Sequence, residues 1–147
     1  MLSARPLKRC QIPRMFPVLA HVLPSMTLKD WTALAARILR RRDADGKAGA
    51  IVIENDNGTI RGGFIYEVEV QADENRRLVV SHVVIPPLGR TMVADVIHAA
   101  IEDIARVQAC DFVRVELPTS AAWETDYFSR HGHRVLGLDT GQSIRLA

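Results

Sequence analysis

The stretch LVVSHVVIPPLGRTMVADVI, residues 78–97, decides the fold. Its first eight residues are almost continuously apolar, the pattern of a central strand covered on both faces. Pro86-Pro87-Leu88-Gly89-Arg90 breaks that strand and opens a helix. Val93, Val96, Ile97, Ala100, Ile101, Ile104 and Val107 recur at helical spacing, carrying the helix to about Ala109. Phe112 to Leu117 reads as a strand stopped by Pro118. The helix between the two strands is long enough for a crossover, so they should run parallel.

Upstream, Thr27 and Asp30 form a capping pattern, and Leu28, Trp31, Leu34, Ala35, Ile38 and Leu39 make one apolar helical face ending near Arg42. Ala50 to Glu54 and Thr59 to Val70 read as strands joined by the turn Asp56-Asn57-Gly58, with a bulge expected at Gly62-Gly63. Pro6, Pro13, Pro17 and Pro24 mark residues 1–26 as an irregular basic segment, with a short strand around Leu7 to Ile12 and a turn or two of helix around Phe16 to Leu23. Downstream, a helix over Ser120 to His131 is capped by Gly132. His133 to Leu138, the turn Asp139-Thr140-Gly141 and Gln142 to Leu146 make a closing strand pair. The fold class is α/β (α+β): one domain, residues 1–147, with a mixed, mostly antiparallel sheet and helices on both faces.

The chain has 147 residues, 48% of them hydrophobic and 24% charged, which excludes disordered, collagen-like and coiled-coil classes. No apolar run reaches the roughly 18–20 residues of a membrane span. The apolar stretch Phe16 to Leu23 is short, contains Pro17 and is followed by no cleavage site, so no signal peptide is expected. Cys10 and Cys110 are too few and too far apart for a disulfide scaffold or a zinc site, and they suit a reducing cytoplasmic setting. The net charge of +2 is uneven: residues 1–42 hold nine basic residues against Asp30, and the remainder is net −6. Arg40, Arg41 and Arg42 close a helix where cations suit the macrodipole, and no aromatics interleave with them as nucleic-acid binding would favour.

At Val83–Thr91 a strand ends in a glycine-containing loop at a helix N-terminus, where unpaired amides and the positive dipole end favour an anion such as a diphosphate. From Leu78 to Leu138 the chain resembles the GNAT superfamily of N-acetyltransferases, through LVVSHVVIPPLGRTMVADVI, FVRVEL and YFSRHGHRVLGL. In that family a strand followed by an (Arg/Gln)-x-x-Gly-x-(Gly/Ala) loop holds the acetyl-CoA pyrophosphate. The resemblance implies acetyl-CoA as co-substrate, bound by Val83, Val84, Ile85, Gly89, Arg90 and Thr91, and an amine acceptor, small molecule or protein. The pattern departs in places. Gly89 is the single loop glycine, the loop is about one residue short, and Thr91 and Val93 stand where small residues are usual. Phe128 occupies the position of the family's tyrosine acid, with Tyr127 one residue earlier.

The implied chemistry is direct attack of an amine on a thioester, with a general base and polarising amides. His82 is the first candidate base, or else a core histidine; Glu67 and Glu69 share a face of the neighbouring strand as alternatives, and Tyr127 is a reserve acid. Ser81 and His82 are adjacent, so a regular strand points them to opposite faces and forbids a direct nucleophile–base pair. His131 and His133 lack a third ligand, so no metal is expected. Trp31 and Trp123 read as core or interface anchors. The alternative reading is a catalytically inactive GNAT-like binding or scaffold module. A third uses the basic N-terminal stretch on nucleic acid. A homodimer through the closing strands or the N-terminal segment is compatible with either of the first two.

Overall fold

The strand that leads to Gly89 lies in the middle of the sheet. A computed structural model describes residues 1–118, 120–131, 134–138 and 142–145. Within them the elements are β1 (Ser3–Pro6), α1 (Ile12–Val22), α2 (Leu28–Asp45), β2 (Ala48–Glu54), β3 (Ile60–Val70), β4 (Arg76–Val84), α3 (Arg90–Val107), β5 (Phe112–Val115), α4 (Ala122–Arg130), β6 (Arg134–Leu138) and β7 (Gln142–Arg145). The seven strands form one sheet in the order β1-β2-β3-β4-β5-β7-β6. Every pairing is antiparallel except β4–β5, the pair that α3 connects. A mixed, mostly antiparallel sheet with helices on both faces is therefore what the chain forms. The expected cap Gly132, His133 and the turn Asp139-Thr140-Gly141 lie outside the described residues.

The two faces carry separate cores. One buries Leu78, Val80 and Val83 of β4 and the following Ile85 under Val93, Ile97 and Ile101 of α3 and Phe128 of α4. The other buries Val52, Ile65 and Val84 under Met15 and Leu19 of α1 and Trp31, Ile38 and Leu39 of α2. Val80 and Val83 share the α3 face although they are three residues apart, which a regular strand forbids. The cause is a β-bulge. Gly63 pairs with Val84 and Ile65 with Ser81, so His82 and Val83 together oppose Phe64. His82 carries the turn at φ 52°, in the left-handed region.

The N-terminal reading needs correction. Residues 1–26 are not irregular: the strand is Ser3–Pro6 rather than Leu7 to Ile12, a 3-10 turn covers Arg9–Gln11, and α1 runs for 11 residues. Proline counting misled because Pro13 occupies the first turn, where its missing N–H costs nothing, and Pro17 removes one helical bond. Burial of Ile12, Met15 and Leu19 offsets that loss, and the Trp31 indole Nε1 donates to Ile12 O at 2.7 Å, tying α1 to α2. The second helix runs past Arg42 to Asp45, because Gly46 at φ 72° supplies the left-handed cap and its N–H reaches Arg42 O. The bulge expected near Gly62-Gly63 falls on Arg61, the residue skipped where Glu54 pairs with Ile60 and Ile53 with Gly62.

Gly62 sets the seat of α3. A Cβ built there would lie 2.6 Å from Val84 O and 2.8 Å from Val93 Cγ1. Only glycine admits this approach of β3 to the end of β4 and the start of α3. Gly62→Ala is expected to destabilise the protein by about 1–3 kcal/mol, read as a lower denaturation midpoint in urea.

Candidate functional site

The β4–β5 ladder runs from Arg77↔Phe112 to Val80↔Val115, whereas β4 pairs with β3 as far as Val84. The last residues of β4 thus project beyond the ladder with β5 and lead through Pro86–Leu88 to Gly89. Gly89 stands before α3 at φ 66°, a conformation that favours glycine, and it gives the helix no side-chain cap. The first helical bond is Val93 N–H to Gly89 O at 3.1 Å. The amides of Arg90, Thr91 and Met92 precede that bond and are the orphan donors of the helix start. No acidic residue lies in the first turn of α3. The Arg61 guanidinium reaches the loop from the β3 bulge, donating from Nη2 to Leu88 O at 3.2 Å. This donor set fits an anionic diphosphate. Val93, which the sequence places at the cradle, is instead buried in the core beside Gly62. Of the residues expected to bind the cofactor, Val83, Val84 and Ile85 bury their side chains and offer only backbone, while Gly89, Arg90 and Thr91 sit at the helix start.

Arg90 turns away from the loop toward α4. Its guanidinium carbon lies 5.0 Å from the Trp123 ring centre, and its Nε is buried with no partner among the described residues. Trp123 stacks on Tyr127 at 5.4 Å, and Tyr127 on His131 at 3.9 Å. The Tyr127 hydroxyl donates to Asp95 Oδ1 at 2.6 Å, and burial, reinforced by that bond and the Asp95 charge, pushes its pKa up. Such a phenol holds its proton tightly. The neighbouring Phe128 is 0% exposed in the α3-side core.

His82 lies on the other face. It lines a small cavity with Met15, Leu19, Trp31, Val52 and Ile65. Burial lowers its pKa, with Glu116 and Glu67 acting upward and Arg37 downward. The sequence rule that separated Ser81 from His82 fails here. Ser81 pairs with Ile65 and shares its face, and the bulge keeps His82 on that face too, leaving Ser81 Oγ 3.0 Å from His82 Nδ1.

Glu67 and Glu69 do share one side of β3, but both are engaged. Glu67 takes Arg41 Nη1 at 2.5 Å and Arg37 Nη2 at 3.5 Å; Glu69 faces Arg77 across the strands at 4.0 Å. The structure therefore groups His82, Ser81 and Glu67 on the α2 side and sets Tyr127 apart on the α3 side. Two arginines of the basic cluster are also engaged: Arg41 bonds Val68 O of β3 and Arg42 bonds Leu7 O just past β1, so they anchor α2 rather than simply meet solvent. Arg61 and Asp95 escaped the sequence reading. Arg61 had a signal in its position beside Gly62-Gly63; Asp95 had none. Among the described residues no three His, Cys, Asp or Glu side chains group as a metal site, and no helix is long and apolar enough to cross a membrane.

No family model matches the chain, and no curated protein matches its sequence. Solved structures do. Glucosamine-6-phosphate N-acetyltransferase from Arabidopsis thaliana superposes with a TM-score of 0.72 at 15% identity, over 95% of each chain. An acetyltransferase of Trypanosoma brucei gives 0.69 at 18%, over 95% of this chain and 96% of that one. The PaiA N-acetyltransferase of Thermoplasma acidophilum, in complex with coenzyme A, gives 0.74 at 10%, over 99% and 98%. The chain has the GNAT N-acetyltransferase fold.

Burial also lowers the pKa of His98, opposed by Glu102 and Asp95 and aided by His131. Both imidazoles, His82 and His98, should titrate below the ordinary value of about 6.5 when followed by their ring-proton NMR signals. Folded chains with lowered histidine pKa values bind fewer protons than unfolded ones in that window, so stability should fall as pH drops from about 6.5 through the folded values. His82→Gln should flatten part of that loss in denaturation curves taken across the same range.

Proposed function

We propose that this chain, on its GNAT fold, binds acetyl-CoA as co-substrate at the start of α3 and transfers the acetyl group to an amine, carried by a small molecule or a protein. The observation that carries the reading is the uncapped helix start after Gly89, with the Arg61 guanidinium beside it. The amides of Arg90, Thr91 and Met92 would receive the diphosphate. When bound, the co-substrate supplies a thioester, an acyl group activated toward amines. The coenzyme A complex of a protein with the same fold supports the choice of ligand.

His82 is the base the geometry supports best. Its half-buried imidazole is neutral near pH 7 and can take the proton of the attacking amine. Glu67, held by two arginines, contributes a fixed negative charge that favours the imidazolium as it forms. The bulge at His82–Val83 interrupts the ladder with β3, and backbone amides released from pairing there would serve to polarise the thioester carbonyl. Free thiols at Cys10 and Cys110 suit the reducing cytoplasm as the working compartment. A second copy of the chain is a further expected partner; neither nucleic acid nor a membrane enters the reading.

A second reading, a binding module without catalysis, is favoured by one observation. The phenol nearest the family's acid position is locked to Asp95, and Phe128 fills the position itself.

Thermal denaturation separates the two. Coenzyme A at a hundred times its Kd should stabilise the protein by about 2.7 kcal/mol, and no shift at millimolar coenzyme A overturns both the acetyl-CoA site and the enzyme. If the shift is present, thiol release from acetyl-CoA against a panel of amines should be accelerated, and His82→Gln should lower kcat by about 10²–10⁴-fold. Stabilisation without any amine-dependent release would favour the binding module.

A further inference from the structure

We propose that Ser81 and His82 form a nucleophile–base pair that takes up the acetyl group on Ser81 Oγ, giving the protein an acceptor-independent acetyl-CoA hydrolase activity. The inference rests on the acetyl-CoA reading above.

Ser81 Oγ lies 3.0 Å from His82 Nδ1, hydrogen-bond distance for a hydroxyl handing its proton to an imidazole. The pair exists because of a backbone feature that costs free energy. A histidine at φ 52° is a rare conformation for a residue with a Cβ, and such outliers concentrate at working sites. A regular strand would have turned His82 to the α3 core, where Val83 now lies. The bulge instead delivers it to the face of Ser81.

The surroundings suit acyl transfer. His82 borders the small apolar cavity that it lines with Met15, Leu19, Trp31 and Ile65. Glu116 and Glu67 act on the imidazole as negative charges, and Arg37 as a positive one. The pair also sits where β4 runs past its ladder with β5, on the strand that leads directly to Gly89.

The steps balance without any further reagent. Ser81 Oγ gives its proton to His82 Nδ1 and bonds to the thioester carbonyl carbon. The C–S bond breaks, and the proton on His82 passes to the sulfur, releasing coenzyme A as the thiol. Water then gives a proton to His82 and its oxygen to the acyl carbon. The ester C–O bond breaks, Ser81 regains the proton from His82, and acetic acid leaves and ionises to acetate and a solvent proton.

The test incubates the full chain with acetyl-CoA and no amine, followed by acid quench and peptide mass mapping. One acetyl group should appear on the peptide containing Ser81 and be removed by hydroxylamine, as an ester is and an acetyl-lysine is not. Coenzyme A thiol should be released without acceptor, and Ser81→Ala should reduce that release to the uncatalysed rate. Ser81→Cys, a second variant of similar size, should carry the acetyl group as a thioester. Where coenzyme A stabilises the wild type yet Ser81 acquires no acetyl group and no thiol is released, the pair is overturned and the acetyltransferase reading stands. Retention of acceptor-free release in Ser81→Ala overturns the pair equally. Absence of any stabilisation by coenzyme A removes the parent reading and this inference with it.

Discussion

A strand alternates its side chains strictly, and β4 must serve two helix layers that are out of phase along its length. At its start, Leu78 and Val80 feed the core under α3; near its end, Val83 and Ile85 feed that same core while Val84 feeds the one under α1 and α2. Two residues opposite Phe64 reconcile the two patterns. The rest of the architecture follows from that slip. It returns apolar residues to both cores, leaves Val84 O close to Gly62, and aims the chain at the loop before α3. Strain at one histidine is offset by burial on both sides of the sheet.

The electrostatics divide along the same two faces. On the α2 side, Arg37 and Arg41 hold Glu67, Arg41 also bonds Val68 O of the sheet, and Arg42 bonds Leu7 O just past β1. These partly exposed pairs matter less as stabilising energy than as a way of fixing where α2 lies and what charge faces His82. On the α3 side, Tyr127 and Asp95 join α4 to α3. The groups that resemble an acid–base set in the sequence are therefore separated by the thickness of the sheet.

Periodicity alone made much of this legible. The apolar run over 78–85, the stripe from Val93 to Val107 and the parallel placement of Phe112 were all readable, because each buries a long, regular face. Gly89 was readable as well, since its place between strand and helix demands a turn. What was not legible depended on single exceptions to regularity. Prolines in α1 looked like breakers until the burial of Met15 and Leu19 was known. The relation of Ser81 to His82 was read backwards, because one inserted residue reverses every facing that follows it. Arg61 and Asp95 act across elements distant in sequence, and no local pattern encodes such contacts.

The column Arg90–Trp123–Tyr127–His131 joins the head of α3 to the whole length of α4. Trp31, the chain's other indole, is sealed beneath α1. Any anion that draws the Arg90 guanidinium off its ring changes the electric field felt by a single partly exposed chromophore. Intrinsic fluorescence, with no label, would therefore report any displacement of Arg90 from that ring.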